Sequence, residues 1–249
     1  MYAINHAATA LVVERAFPRT SLVWILVSVQ IMEVLWVVLT FTGLERVTTE
    51  STVSSVSDIH LAHMPWSHSV LTTLVVALIL GLIVARLTRR LASGVAIALG
   101  VMSHLVLDLI THAPDIAWAP AMEGHKLGLG LYSGAPMVAF AVELAWGIAC
   151  VTIHGGTRAL YVAVIGFNLA NLTMYTPAIV GPEGALAGHP MLIVAMVGAQ
   201  ILVTIAVVHA LASRDPRKVA SEQAESQGAG EPSAPARAGG RWNSLWTWL

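Results

Sequence analysis

The chain is poor in charge. Asp, Glu, Lys and Arg together supply 11% of its 249 residues, against about a quarter in soluble globular domains. With 56% hydrophobic residues and a mean hydropathy of +0.74, that scarcity excludes an ordinary soluble domain and points to a membrane protein. The formal net charge of −1 leaves no basic patch, so no nucleic-acid partner is expected. A single cysteine, Cys150, excludes an internal disulfide and reads as a small packing residue in an apolar window. Residues 1–17 lack the basic start and small-residue cleavage site of a secretory signal, and Glu14 and Arg15 interrupt them, so no processing is expected. Neither a 20–50-residue repeat nor an inverted repeat between the halves is visible.

What the chain has in abundance is long apolar windows. They fall at about 21–42, 68–85, 91–110, 135–153, 159–177 and 189–212, each near the ~20 residues that cross a bilayer core. The expected fold class is therefore all-α: a polytopic membrane bundle of about six transmembrane helices occupying residues 1–212. A short N-terminal helix can precede them, ending at the Phe17-Pro18 step and folding back re-entrantly against the first span. Arg15, Arg19, Arg86, Arg89, Arg90, Arg158, Arg214, Arg217 and Lys218 sort to one side, and Arg46 and Lys126 to the other. By the positive-inside rule both termini are then cytoplasmic, and the loops at about 43–67 and 113–134 face outward. From residue 213 the composition turns to Ser, Glu, Gln, Gly, Pro and Ala, which reads as a disordered cytoplasmic tail. Its final Trp242, Trp246 and Trp248 suit a headgroup region, although a dispensable end reads equally well.

Against this apolar background the polar residues are informative. Five of the ten histidines lie between residues 60 and 112. In SHLVLDLITHAPD (103–115), His104, Asp108 and His112 follow one another at i, i+4 and i+8, so they share one helix face at roughly 5–6 Å spacing. Each ionisable group in a span costs about 2.5–3.5 kcal/mol on insertion scales, and the stripe needs a compensating role. At 1.5 Å per residue, His104 lies about 21 Å and Asp108 about 27 Å above the cytoplasmic end of its span, with His112 near the outer interface. Glu33 lies about 18 Å up the first span, and Glu143 about 12 Å below the outer surface. The loop DIHLAHMPWSHS adds Asp58, His60, His63 and His68 at the same outer mouth, with Pro65 ending any helix and Ser67 a good N-cap for the second span.

Mixed imidazole and carboxylate ligands suit zinc, in one or two ions, and less selectively manganese or iron. The candidate ligands are His60, His63, His68, His104, Asp108 and His112; Glu33 or Asp115 serves as catalytic base or as a further ligand. The bland alternative for His104 and Asp108 is a hydrogen-bonded interhelical pair. Glu143 reads as a partner orienting a ligand, or as a protonated carboxyl bonded to a neighbour. Asn168, Asn171 and Gln200 read as interhelical contacts. His125, His154, His189 and His209 are given no role.

Several segments together resemble the bacterial membrane-bound metal-dependent hydrolases, the family that includes the LexA-regulated inner-membrane hydrolase-like proteins. The matching stretches are INHAATAL around His6, QIMEVLW at Glu33, GLERV at 43–47, HMPWSHSV at 63–70, SHLVLDLITHAPD, and KLGLGLY at 126–132. The likeness covers about residues 1–150. It implies a helical fold distantly similar to zinc-dependent phospholipase C, a metal held by the matching His and Asp positions, and His6 as a further ligand. One departure stands out: Glu33 occupies the place of the family's first-span aspartate.

The resulting expectation is a zinc-dependent hydrolase in the bacterial inner membrane, its site toward the outer face. It would cleave an ester or phosphoester of a lipid or amphiphile drawn from the bilayer. The competing readings are an ion or proton transporter, since intramembrane His, Asp and Glu also mark proton relays, and a non-catalytic metal-stabilised scaffold.

Overall fold

A computed structural model of the chain describes residues 1–213 apart from Glu123 and Val180. In chain order, α1 (Ala3–Ala16) and α2 (Leu22–Phe41) precede a hairpin of β1 (Arg46–Thr49) and β2 (Ile59–His63). Then follow α3 (Val70–Thr88), α4 (Leu91–Thr111), the single turn α5 (Leu131–Gly134), α6 (Pro136–His154), α7 (Arg158–Ala170) and α8 (Pro190–Ser213). The expected tail beyond Ser213, with its tryptophans, lies outside the described residues.

Five helices, α2, α3, α4, α6 and α8, are long and apolar enough to cross a membrane. Their backbone polar groups are satisfied within each helix, as a hydrocarbon solvent requires. Leu74, Leu78 and Leu82 of α3 and Leu202 of α8 are exposed on the outside of the bundle, the arrangement of side chains meant for lipid.

The expected fifth span, 159–177, takes a different form. Its helical part, α7, has 13 residues and rises only about 20 Å, short of the ~30 Å core. Asn168 and Asn171 turn their amides onto the carbonyls of Val164 and Phe167 at 2.8 and 2.7 Å. There the chain tightens into a 3-10 turn at Leu172–Tyr175. Side-chain amides that bond back one turn offer the backbone an alternative to continued helix.

The re-entrant N-terminal helix is present. α1 stops at Phe17, where Pro18 disfavours helical geometry in the preceding residue, and it is buried from Ala3 through Leu11. It packs against α2, α4, α6, α7 and α8, in a core of Ile4, Ala7, Leu11, Ile25, Val164 and Val208. Polar contacts pin it. Gln30 Nε2 donates to the Ala3 carbonyl at 2.6 Å, and Trp146 Nε1 to Thr9 Oγ1 at 2.9 Å. Asn5 Nδ2 donates to Glu143 at 2.7 Å and to Asn168 at 3.0 Å. A buried amide that finds partners on several helices fixes register as well as position.

Close approach of α2 and α4 depends on Gly100, where a Cβ would overlap the Ser28 hydroxyl. One turn further along α4 comes His104. α3 is capped by Ser69, whose hydroxyl accepts from Thr72 N at 3.3 Å, and not by Ser67 as expected; Ser67 is engaged elsewhere.

The end of the bundle that carries residues 43–67 and 113–134 is more ordered than two loops. Residues 46–63 form the antiparallel hairpin, Arg46 opposite His63 and Thr48 opposite His60. Its 3-10 turn is held by Asp58, which accepts from Ser54 N at 2.8 Å and Ser55 N at 3.0 Å. Slight burial works against ionisation of Asp58, but these donors outweigh it and hold the carboxyl below its usual range. Residues 113–130 fold over the α4 terminus: Ala117 N donates to the His68 carbonyl at 3.2 Å and Gly130 N to the His112 carbonyl at 2.6 Å. Gly128, with φ of 146°, passes so near the carbonyls of His112 and Ala113 that a Cβ has no room, which explains the glycines of KLGLGLY.

Candidate metal site

Four side chains from three segments converge at this end. Glu33 comes from the second half of α2, His68 from the turn just before α3, and His104 and Asp108 from one face of α4. One ligand atom from each lies within 4.8 Å of all the others. His104 Nε2 is 2.9 Å from Asp108 Oδ2 and 3.5 Å from Glu33 Oε2. His68 Nε2 is 3.5 Å from Glu33 Oε2 and 3.7 Å from Asp108 Oδ2. His68, His104 and Asp108 are all but sealed, while Glu33 is 21% exposed. This group can hold a metal ion.

The far ring nitrogens are tied to the scaffold. His104 Nδ1 lies 3.2 Å from the Val29 carbonyl, and His68 Nδ1 lies 2.7 Å from Ser67 Oγ. Yet His104 Nε2 and Asp108 Oδ2, although adjacent and buried, lack a hydrogen-bond partner. Buried polar atoms are rarely left so unless something else occupies the space between them.

A second set of histidines faces the other oxygen of Asp108. His6 Nε2 lies 3.3 Å and His112 Nε2 3.8 Å from Oδ1, and the amino group of Met1 donates to the same oxygen at 2.7 Å. His6 stacks on His104 at 4.2 Å between ring centres, and His112 on His68 at 5.5 Å. Asp115 Oδ1 lies 3.5 Å from His112 Nδ1.

The structure thus gathers His6, Glu33, His68, His104, Asp108, His112 and Asp115. It does not bring His60 or His63 to them. His60 is exposed on β2 and pairs with Glu50 at 2.8 Å; His63 ends the same strand, exposed and opposite Arg46. Neither belongs to the four-residue group. Burial explains the sorting: β2 lies on the outside of the bundle, whereas the backbone after Pro65 turns inward at His68.

The role of one residue escaped sequence reasoning. Glu45, 1% exposed, accepts from the backbone of Trp66 and Ser67 at 2.9 and 2.8 Å and from Ser67 Oγ at 2.6 Å. The signal was present, an acidic residue at the end of a span, but only folding reveals its partners. Glu143 is wholly buried and accepts from Tyr2 N, Asn5 Nδ2, Tyr132 OH and Tyr175 OH at 2.9, 2.7, 2.5 and 2.8 Å. It therefore ties α1 and α6 to two tyrosines and none of its hydrogen bonds reaches the four ligands. Asn168 and Gln200 do serve as interhelical contacts.

A cavity of about 420 Å³ opens beside the group. Glu33, His60, His112 and Asp115 are among its lining residues, with Asn171 and Gln200, while Trp36, Ile193 and Met196 contribute apolar wall. Of the four ligand residues, Glu33 alone borders it. Comparison with protein-family models, curated proteins and solved structures returns no match, so interpretation of the site rests on its geometry.

Proposed function

We propose that the chain is a membrane-embedded, zinc-dependent hydrolase that cleaves an ester or phosphoester of a lipid or amphiphile. The observation that carries this reading is the protonation geometry of His104. A carbonyl only accepts, so the Val29 contact requires a hydrogen on Nδ1 and leaves the neutral ring's lone pair on Nε2. That lone pair faces the carboxylates of Asp108 and Glu33. Acceptors aimed at one another repel unless a proton on the ring or a metal ion lies among them. A tetrahedral zinc ion with ligands at 2.0–2.1 Å needs ligand atoms about 3.3–3.4 Å apart; the imidazole–carboxylate spacings here run from 2.9 to 3.7 Å, and all four ligand atoms lie within 4.8 Å of one another. Manganese or iron suits the same atoms less selectively.

In this reading His68, His104 and Asp108 hold the ion, and Glu33, on the cavity side, is the base. Zinc held by three protein ligands would lower the pKa of a bound water to about 7, and the Glu33 carboxylate, on the cavity side, would be placed to accept a proton. Asp115 orients His112 at the polar rim. The apolar remainder of the cavity receives the hydrocarbon part of the substrate, a distribution typical of ligand pockets in the 300–1,000 Å³ range. The resemblance to membrane-bound metal-dependent hydrolases supports the same reaction class.

The test is hydrolysis of p-nitrophenyl laurate and of dodecyl p-nitrophenyl phosphate by the detergent-purified chain. Activity lost on chelation and restored by zinc supports the reading; a metal-replete chain inert toward both overturns it. The Lys and Arg distribution supports a site on the outward side, and the resemblance supports a bacterial inner membrane. Since Cys150 is buried, His63→Cys supplies the reactive thiol. An impermeant maleimide is expected to label it in intact cells, and labelling only after lysis overturns the sidedness.

A further inference from the structure

We infer that Glu45 is a positioning residue that sets the tautomer of His68 through Ser67, and thereby makes His68 a metal ligand. The inference rests on the metal reading above but concerns residues outside the ligand set. Glu45 Oε1 accepts from the N–H groups of Trp66 and Ser67. Its Oε2 receives the Ser67 hydroxyl at 2.6 Å. The hydroxyl has one hydrogen, and an ionised carboxylate has none to offer. With that hydrogen committed to Glu45, the 2.7 Å contact between Ser67 Oγ and His68 Nδ1 can be made only by an N–H on Nδ1. The lone pair then sits on Nε2, facing Glu33 and Asp108. Hydrogen bonds to the far ring nitrogen are what fix the tautomer of a ligating histidine.

Polarity, more than packing, is the consequence of this chain of bonds, and an isosteric substitution can reverse it. In Glu45→Gln the amide oxygen must take the place of Oε1, because two backbone N–H groups point there. The amide NH2 is then forced to face Ser67. The hydroxyl accepts from it and turns its own hydrogen to His68 Nδ1. The ring hydrogen moves to Nε2, where it points at the ligand carboxylates and stands in the way of a metal. Glu45→Asp is shorter by a methylene but keeps an acceptor-only group.

The experiment uses the full chain in detergent. Zinc dissociation constants come from chelator competition, melting is followed without metal, and 15N-histidine NMR spectra are recorded on metal-free protein at a pH high enough that the His68 ring is neutral. Glu45→Gln is expected to weaken zinc binding about 10–100-fold, the usual cost of losing an outer-shell partner. It should melt like the wild type without metal, and its His68 hydrogen should move from Nδ1 to Nε2. Glu45→Asp should retain more affinity than Glu45→Gln, and Ser67→Ala, which removes the relay without reversing it, should lose less than Glu45→Gln. The opposite order, with Asp more damaging than the isosteric Gln, would show that Glu45 only packs the loop. An unchanged His68 tautomer in Glu45→Gln would also overturn the inference. The NMR measurement needs no metal, so a wild type that binds no zinc removes the metal reading and leaves the tautomer separately decided.

Discussion

Asp108→Ala and His104→Ala, purified in detergent with zinc, are expected to retain no stoichiometric metal, whereas the wild type, His60→Ala and His63→Ala retain it. Loss of an outer-shell partner already costs 10–100-fold in affinity, so removal of a ligand should cost more than about 100-fold. Asp108 is the more severe case because both its oxygens are engaged, Oδ2 with the four-residue group and Oδ1 with His6 and His112. Truncation at Asp108 also leaves imidazoles facing an empty pocket. The same comparison can be made by melting. A ligand that binds only the folded state stabilises it by about 2.7 kcal/mol at 100 times its dissociation constant. Zinc should therefore raise the wild-type melting temperature and leave the two variants where they were. Equal metal content, by elemental analysis, in all five proteins would remove the metal reading. The controls matter as much, because His60 and His63 lie in the same histidine-rich loop yet outside the four-residue group.

Glu33→Gln is expected to keep its zinc and lose about 10²–10⁴-fold in turnover, the usual worth of a general base. Gln preserves the shape and one acceptor oxygen but cannot take up a proton. Glu33 is the member of the group that borders the cavity and the least buried of the four, so exchanging it for an amide disturbs the sealed ligands little. The affinity for an amphiphile should change little, since the apolar wall of Trp36, Ile193 and Met196 is untouched. Metal content and steady-state kinetics on the same preparation decide the matter. If Glu33→Gln loses zinc as fully as Asp108→Ala, Glu33 is a ligand and the base must be sought elsewhere. Full activity with zinc retained would exclude Glu33 from the chemistry.

Much of the site could be read from local spacing. His104 and Asp108 are one helical turn apart, and any helix through that window places them together; the structure finds them 2.9 Å apart. His63 and His68 show where local reasoning ends. Both flank Pro65, both sit at the mouth of a span, and nothing in their neighbours' identity ranks one above the other. What separates them is that Glu45, more than twenty residues earlier, clamps the backbone at Trp66 and Ser67 and so turns His68 inward. His6 needed a similar long-range fact, that α1 folds back to lie among five helices.

The amino-acid order alone determined that this chain lives in lipid, where its long apolar windows lie, and which polar groups stand at unfavourable depth. Those properties are local: transfer free energy sums over neighbouring residues, and helical period follows from backbone geometry. Tertiary structure decided that one expected span is a short helix ending in a 3-10 turn, that residues 46–63 form a hairpin, and which histidines meet the carboxylates. Such outcomes depend on contacts between residues tens of positions apart, where burial and hydrogen-bond satisfaction are settled by the whole bundle at once.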